Sequence, residues 1–185
     1  MSDPLEPQDD AATPLTEEER SDLILGWITL RAELNEAEQA NILEAWQWAS
    51  ARRRNVLDER FLRNLHQKMF GQVWRWAGQF RRTARNIGVD AYRIPAELRQ
   101  LLGDCRFWIE HQSYEADEIA VRFHHRLVQI HAFPNGDGRH ARMATDLLLV
   151  SIGRPGFSWG RANLIDAGQT RRQYIKALRR PDLSV

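Results

Sequence analysis

The sequence predicts an all-α fold with one small β-hairpin. Apolar residues recur at three- and four-residue spacing along most of the chain, and helix-capping residues stand where those stretches begin. The periodicity lapses once, over residues 76–94, where Gly78, Gly88 and short extended stretches flank an Asn-Ile-Gly turn.

A length of 185 residues with 43% apolar side chains suits one domain with a full core. Residues 1–14 are acidic and proline-containing, without apolar periodicity, and read as a disordered lead. Thr16 and Glu19 make a capping box, and Leu23, Ile24, Trp27 and Ile28 follow at helical spacing, so a first helix of about four turns is expected to end near Glu33 or Leu34. Asn35 with Glu38 then reads as the start of a helix carrying Ile42, Leu43, Trp46 and Ala49.

Asp58 is placed to cap a helix whose Phe61, Leu65, Met69 and Val73 repeat every four residues, with Leu62 and Phe70 alongside. Beyond the irregular stretch, Pro95 suits a first helical turn, with Leu98, Leu101, Leu102, Cys105, Trp108 and Ile109 following on one face. Asp117 is the expected cap of the next helix, which turns Ala120, Phe123, Leu127 and Ile130 inward. Two more helices are expected, from about Gly138 to Ile152 and from about Leu164 to Arg179.

The charges nearly cancel, 26 basic against 25 acidic, so no global field draws the chain to nucleic acid or to a membrane surface. The arginines at 52–54, 81, 82 and 85 read as solvated faces and not as a nucleic-acid patch. Only Lys68 and Lys176 are lysines, which leaves cation chemistry to arginine and its planar fork. One cysteine, Cys105, permits no internal disulfide, and no apolar run reaches a membrane span, so a cytoplasmic location is expected.

Chemistry concentrates in "HAFPNGDGRHAR", residues 131–142. Between two predicted helices, Gly136, Gly138 and Arg139 occupy a helix N-terminus, where backbone N–H groups and the macrodipole favour an anion. Arg139 and Arg142 stand three apart on that first turn, facing the same anion. His131 closes the preceding helix; an imidazole, ordinarily titrating at about 6.5, suits a general base. Asp137 offers an oxygen ligand to Mg²⁺.

Two other readings are weaker. "GDGRHA" fits the glycine pattern of dinucleotide-binding turns, yet no parallel-strand unit surrounds it, and no acid follows between Asp146 and Asp166. His124, His125, His131 and His140 suggest zinc, but adjacent histidines on a helix diverge by about 100°.

At these residues the chain resembles Fic (Fido superfamily) proteins, whose motif HxFx(D/E)GN(G/K)R is followed, after two intervening residues, by a second arginine. His131, Phe133, Gly136, Gly138, Arg139 and Arg142 fall on it in register. The resemblance runs from about Trp46 to the C-terminal helix and includes "LHQKMFGQVWRWAGQFR", residues 65–81; more narrowly, "ELNE", "AGQFRRT" and the motif are similar to the subgroup called mobile mystery protein B. It implies a Fic-like helical bundle with a hairpin flap, with residues 35–185 as the core domain. It also implies transfer of AMP from ATP, with Mg²⁺, to a Ser, Thr or Tyr hydroxyl of a target protein. His131 would be the base, Asn135, Gly136, Asp137, Gly138, Arg139 and Arg142 would hold the nucleotide, and the flap around Arg82 to Tyr92 would dock the target by strand pairing.

The chain reads N-G-D where the family reads D-G-N, so Asn135 and Asp137 are exchanged, and the metal ligand would have to be Asp137 or the weaker amide of Asn135. Gly138 matches the adenylyl-transferring form; the kinase branch carries lysine there. Family members are often held inactive by a helix bearing (S/T)xxxE(G/N). Thr29 to Glu33 fits that pattern in residues 15–34, with Glu33 expected in the last turn of the first helix and paired with Arg142.

Overall fold

The structure, a computed structural model, describes residues 15–85 and 87–159. Among the described residues six α-helices form around one core: α1 (Glu17–Ser21), α2 (Arg31–Ser50), α3 (Glu59–Phe70), α4 (Ile94–Glu110), α5 (Ala116–Ile130) and α6 (Asp137–Ser151). Helix α5 packs on α6, α2 on α3 and α4 on α5. The helical class is as predicted. The lead at 1–14 and the expected helix at 164–179 lie outside the described residues.

Local signals act where the sequence places them. Thr16 Oγ1 accepts the Glu19 N–H while Glu19 returns a carboxylate to the Thr16 N–H. Asp58 caps α3 through the Phe61 N–H at 2.8 Å, and the four-residue stripe buries Phe61, Leu65, Met69 and Val73. Cys105 is buried in α4, where desolvation pushes its thiol up to about 12, so it behaves as a small apolar side chain. Helix α5 starts earlier than expected, with Glu115 at the N-cap and Asp117 in the first turn.

Three expectations fail for tertiary reasons. The first helix stops at Ser21, because the backbone beyond it pairs sideways with residues 73–75. Ile24 N–H donates to the Val73 carbonyl (2.8 Å), Arg75 N–H donates to Asp22 (3.0 Å), and Leu23 bridges Trp74. Trp27, placed on the apolar face by its spacing, is 63% exposed. Helix α2 runs unbroken across the predicted boundary at 34/35, and its inward face is Leu34, Glu38, Asn41, Ala45 and Ala49, with Leu43 exposed.

Third, no strand forms among the described residues 76–94. The two arms of this loop converge on one side chain, Arg81, whose guanidinium donates to carbonyls of Thr83 (2.8 Å) and Val89. Their backbones turn toward the end of α5, with Arg81 N–H on the Ala132 carbonyl and Val89 N–H on Ile130. Side-chain bonds replace the ladder that a hairpin would have made. Among the described residues no helix is long and apolar enough to cross a membrane.

Candidate active site

The site is the loop joining α5 to α6. His131 is the C-cap of α5 with φ 50° and ψ 66°, a left-handed conformation costing a non-glycine residue on the order of 1–3 kcal/mol. Several bonds hold it there. Its N–H reaches back to Leu127, and the Arg81 guanidinium donates to its carbonyl at 2.6 Å. Arg81 is only 3% exposed, and burial lowers its pKa against the counter-effect of Asp137. Arg81 and Arg85 are therefore not solvated faces: the Arg85 side chain is buried against Glu19.

Gly136 then turns the chain into α6 with φ 84°, and a Cβ there would lie 2.6 Å from the Phe70 ring, so only glycine fits. The first intrahelical bond runs from His140 N–H to the Gly136 carbonyl. The N–H groups of residues 137–139 thus point out of the helix end, as an anion cradle requires. Nothing would crowd a Cβ at Gly138, leaving that turn open. Gly88, by contrast, brings the 82–92 loop against the catalytic candidate: a Cβ on it would lie 2.8 Å from His131 Cβ.

Two buried histidines fasten this loop to α3: His66, which no sequence motif singles out, and His140, one of the histidines weighed above as a zinc ligand. His66 accepts the Gly78 N–H at Nδ1 (3.0 Å), so its Nε2 carries the proton it donates to the Asn135 carbonyl (3.0 Å). Its ring stacks on Phe133 at 3.8 Å. His140 reaches the Leu62 carbonyl at 2.9 Å. Desolvation holds His66 well below the usual imidazole range and takes His140 and His124 down to about 4. They are neutral tethers, and no group of three or more His, Cys, Asp or Glu able to hold a metal occurs among the described residues.

The arginines of the motif part company. Arg139 lies over the Phe70 ring, and its guanidinium pairs with Glu38 of α2 at 2.6 Å. The second oxygen of Glu38 accepts the Trp74 indole N–H at 2.8 Å. Arg142 turns its Nε to the Gly138 carbonyl at 3.2 Å. Glu33 does not meet Arg142. It sits in the first turn of α2, not the last turn of a preceding helix, and its Oε2 accepts the N–H groups of Thr29 (2.9 Å) and Leu30 (3.0 Å). Those bonds hold its carboxyl below the usual range at the surface. Five residues of sequence cannot distinguish a carboxylate that caps its own helix from one that reaches another.

The exchanged pair does not fit Mg²⁺. Asp137 is buried beneath the turn: Oδ1 accepts the Phe133 N–H at 3.2 Å, and Oδ2, closed to solvent, faces His131 Nε2 at 3.4 Å. Burial raises its pKa while His131 and the backbone N–H groups oppose the rise. Asn135 Oδ1 already accepts the Gly136 N–H at 2.6 Å. A hard octahedral cation needs exposed carboxylate oxygens, and this loop presents none to the cradle.

Comparison with known proteins adds a family to this geometry. The family model described as "Fic/DOC family" matches residues 56–149. The protein adenylyltransferase Fic of Drosophila grimshawi is 30% identical over 119 residues, 62% of this chain and 23% of that protein. The Culex quinquefasciatus protein of the same name is 32% identical over 98 residues, 51% and 20% of the two chains. The chain thus spans under a quarter of the length of these curated relatives. Among solved structures, it resembles the N-terminal Fic domain of a VirB-translocated Bep effector protein from Bartonella quintana with bound ADP. That match has TM-score 0.66 and 18% identity, and covers 86% of this chain and 87% of that one. BepC from Bartonella tribocorum with bound AMPPNP gives TM-score 0.63 at 20% identity, covering 88% and 90%.

Proposed function

Since the chain belongs to the Fic/DOC family, we propose that it is a protein adenylyltransferase, moving AMP from ATP to a Ser, Thr or Tyr hydroxyl of a target protein. The observation that carries this reading is the juxtaposition of His131, held in a left-handed turn, with the open N-terminus of α6. In the proposed reaction the target hydroxyl loses its proton to His131 as its oxygen bonds to the α-phosphorus. The bond from that phosphorus to the bridging oxygen breaks, and pyrophosphate leaves. The N–H groups at residues 137–139, with Arg139 and Arg142, would bind the phosphates. The 82–92 loop, against His131 at Gly88, is the segment placed to meet the target.

The same reading includes restraint by the chain N-terminal to the motif. Glu38 is the residue proposed for it in place of Glu33: its carboxylate, buried on α2, pairs with Arg139, a proposed phosphate-binding arginine. Binding of ATP would have to draw Arg139 away from Glu38, so α2 competes with nucleotide. Incubation with α-labelled and γ-labelled ATP tests the reaction: adenylyl transfer moves only the α label to protein. Transfer of the γ label would mark a kinase, and transfer of neither a nucleotide-binding module.

A further inference from the structure

We propose that residues 16–24 form a strap that sets the shape of the target-docking loop, with Glu19 as its positioning residue. The inference rests on the adenylyl-transfer reading for what the 82–92 loop meets, and on geometry for the strap itself. One carboxylate gathers three groups. Glu19 Oε2 accepts the Thr16 N–H (2.9 Å) and pairs with the Arg85 guanidinium, while the Thr83 hydroxyl lies 3.4 Å from Oε1. The Arg85–Glu19 pair is shielded from solvent, its side chains 5% and 13% exposed. The Glu19 carbonyl takes the Trp76 indole N–H at 3.0 Å. Arg75 donates to the Ser21 carbonyl at 3.4 Å, and the backbone bonds of Asp22 and Ile24 to residues 73–75 complete the seam. A helix of five residues is too short to stand alone, so α1 owes its place to these bonds.

The contacts fall on alternate residues of the loop. Arg81 turns inward onto the carbonyls of His131, Thr83 and Val89, and the Thr83 and Arg85 side chains turn onto Glu19. Arg82 and Ala84, between them, are exposed. A period of two is that of an extended segment, one face of which is thereby anchored. Among the described residues the backbone N–H groups of Arg82, Thr83 and Ala84 meet no acceptor. An anchored, extended stretch with open backbone groups is what an extended target segment can pair with. In a sheet a neighbouring strand would hold such an edge straight; here Arg81 anchors it from the core and Glu19 from the strap. A shielded ion pair resists opening, since either partner left alone would be a desolvated charge. The loop is therefore ordered before the target arrives, and target binding does not have to order it.

Backbone relaxation of the full ¹⁵N-labelled chain tests this. Order parameters of the amides at 82–85 should be about 0.8, as in rigid backbone, and fall below about 0.6 in Glu19→Gln. Glutamine can still close the capping box with Thr16, so the variant removes the charge facing Arg85 and spares α1. Arg85→Gln should loosen the same amides, and the double variant no further than either single one, because all three lose the same contact. Amides of α3 and α6 should be unchanged, and ATP affinity by calorimetry should stay within about twofold. Mobile 82–85 amides in the wild type, unchanged ones in the folded variants, or additive effects in the double variant overturn the proposal. So does a larger fall in ATP affinity, which would place the strap's effect on the nucleotide side. These readouts need no turnover: a chain that transfers no label from ATP refutes the adenylyl-transfer reading, while the strap is judged on relaxation. Where label reaches a protein acceptor, Glu19→Gln should raise KM for that acceptor roughly tenfold with KM for ATP within about twofold, since the loop must then be ordered as the target binds. A fall confined to kcat would also count against it.

Discussion

Acidification should loosen the motif loop from the rest of the fold, and the size of the effect follows from three buried rings. His66 and His140 tie residues 131–142 to α3, and His124, a buried residue of α5, packs against the Trp159 ring. Desolvation keeps all three neutral, with His124 and His140 down to about 4 and His66 well below its ordinary value. The unfolded chain takes up these protons at about pH 6.5 and the folded chain refuses them until far lower, so stability falls as pH drops below that point. At pH 5.5 each ring removes on the order of 1 kcal/mol, and the three together a few kcal/mol, a large share of a typical domain stability of about 5–15 kcal/mol. Asp137 opposes this at the acid end, because burial raises its carboxyl and protonation relieves a buried charge. Urea unfolding followed by tryptophan fluorescence at pH 7.5 and 5.5 measures the difference. A loss of a few kcal/mol is expected, and His140→Gln should shrink it by on the order of 1 kcal/mol. A loss below about 1 kcal/mol would show that these imidazoles are not neutral tethers, and the account of how the loop is held would fail.

Other perturbations probe the remaining contacts. Glu38→Gln keeps an oxygen for the Trp74 indole but removes the charge facing Arg139. It should cost about 1–2 kcal/mol of stability and raise ATP affinity roughly 5- to 30-fold, measured by titration calorimetry; unchanged or weaker binding would remove the restraint from the reading. Arg81→Lys cannot span the carbonyls of Thr83, Val89 and His131 with one ammonium. A loss of about 2–4 kcal/mol is expected in thermal unfolding, with transfer more impaired than folding at permissive temperature. Restoring the family order with Asn135→Asp and Asp137→Asn should create tight Mg²⁺ binding, read by calorimetry, that the natural chain lacks; equal binding by both would contradict the misfit described for Asp137.

The helices with strong local signals were legible in the sequence. The α3 stripe, its Asp58 cap and the register of His131, Gly136, Gly138, Arg139 and Arg142 needed no tertiary information. What escaped depended on partners far along the chain. Residues 22–24 leave helix α1 because residues 73–75 offer them backbone partners, and α2 turns Glu38 inward because Trp74 and Arg139 wait there. The sequence places Glu33 in the last turn of a first helix and Glu38 near the start of a second, yet both lie in the single helix α2; only packing separates the surface cap from the buried ion pair. Arg81 looked like one more basic residue in a charged run, and its role arises from carbonyls up to 50 positions away. His66 carried a fainter clue, since it falls on the apolar face of α3, between Leu62 and Phe70.

The most direct test of the central claim is transfer of label from α-³²P-ATP to protein by the wild-type chain and by His131→Ala, with nucleotide binding measured on both. The account predicts protein-bound α label, none from γ-labelled ATP, and a His131→Ala variant that binds ATP but transfers nothing. Wild-type levels of transfer by His131→Ala would contradict it.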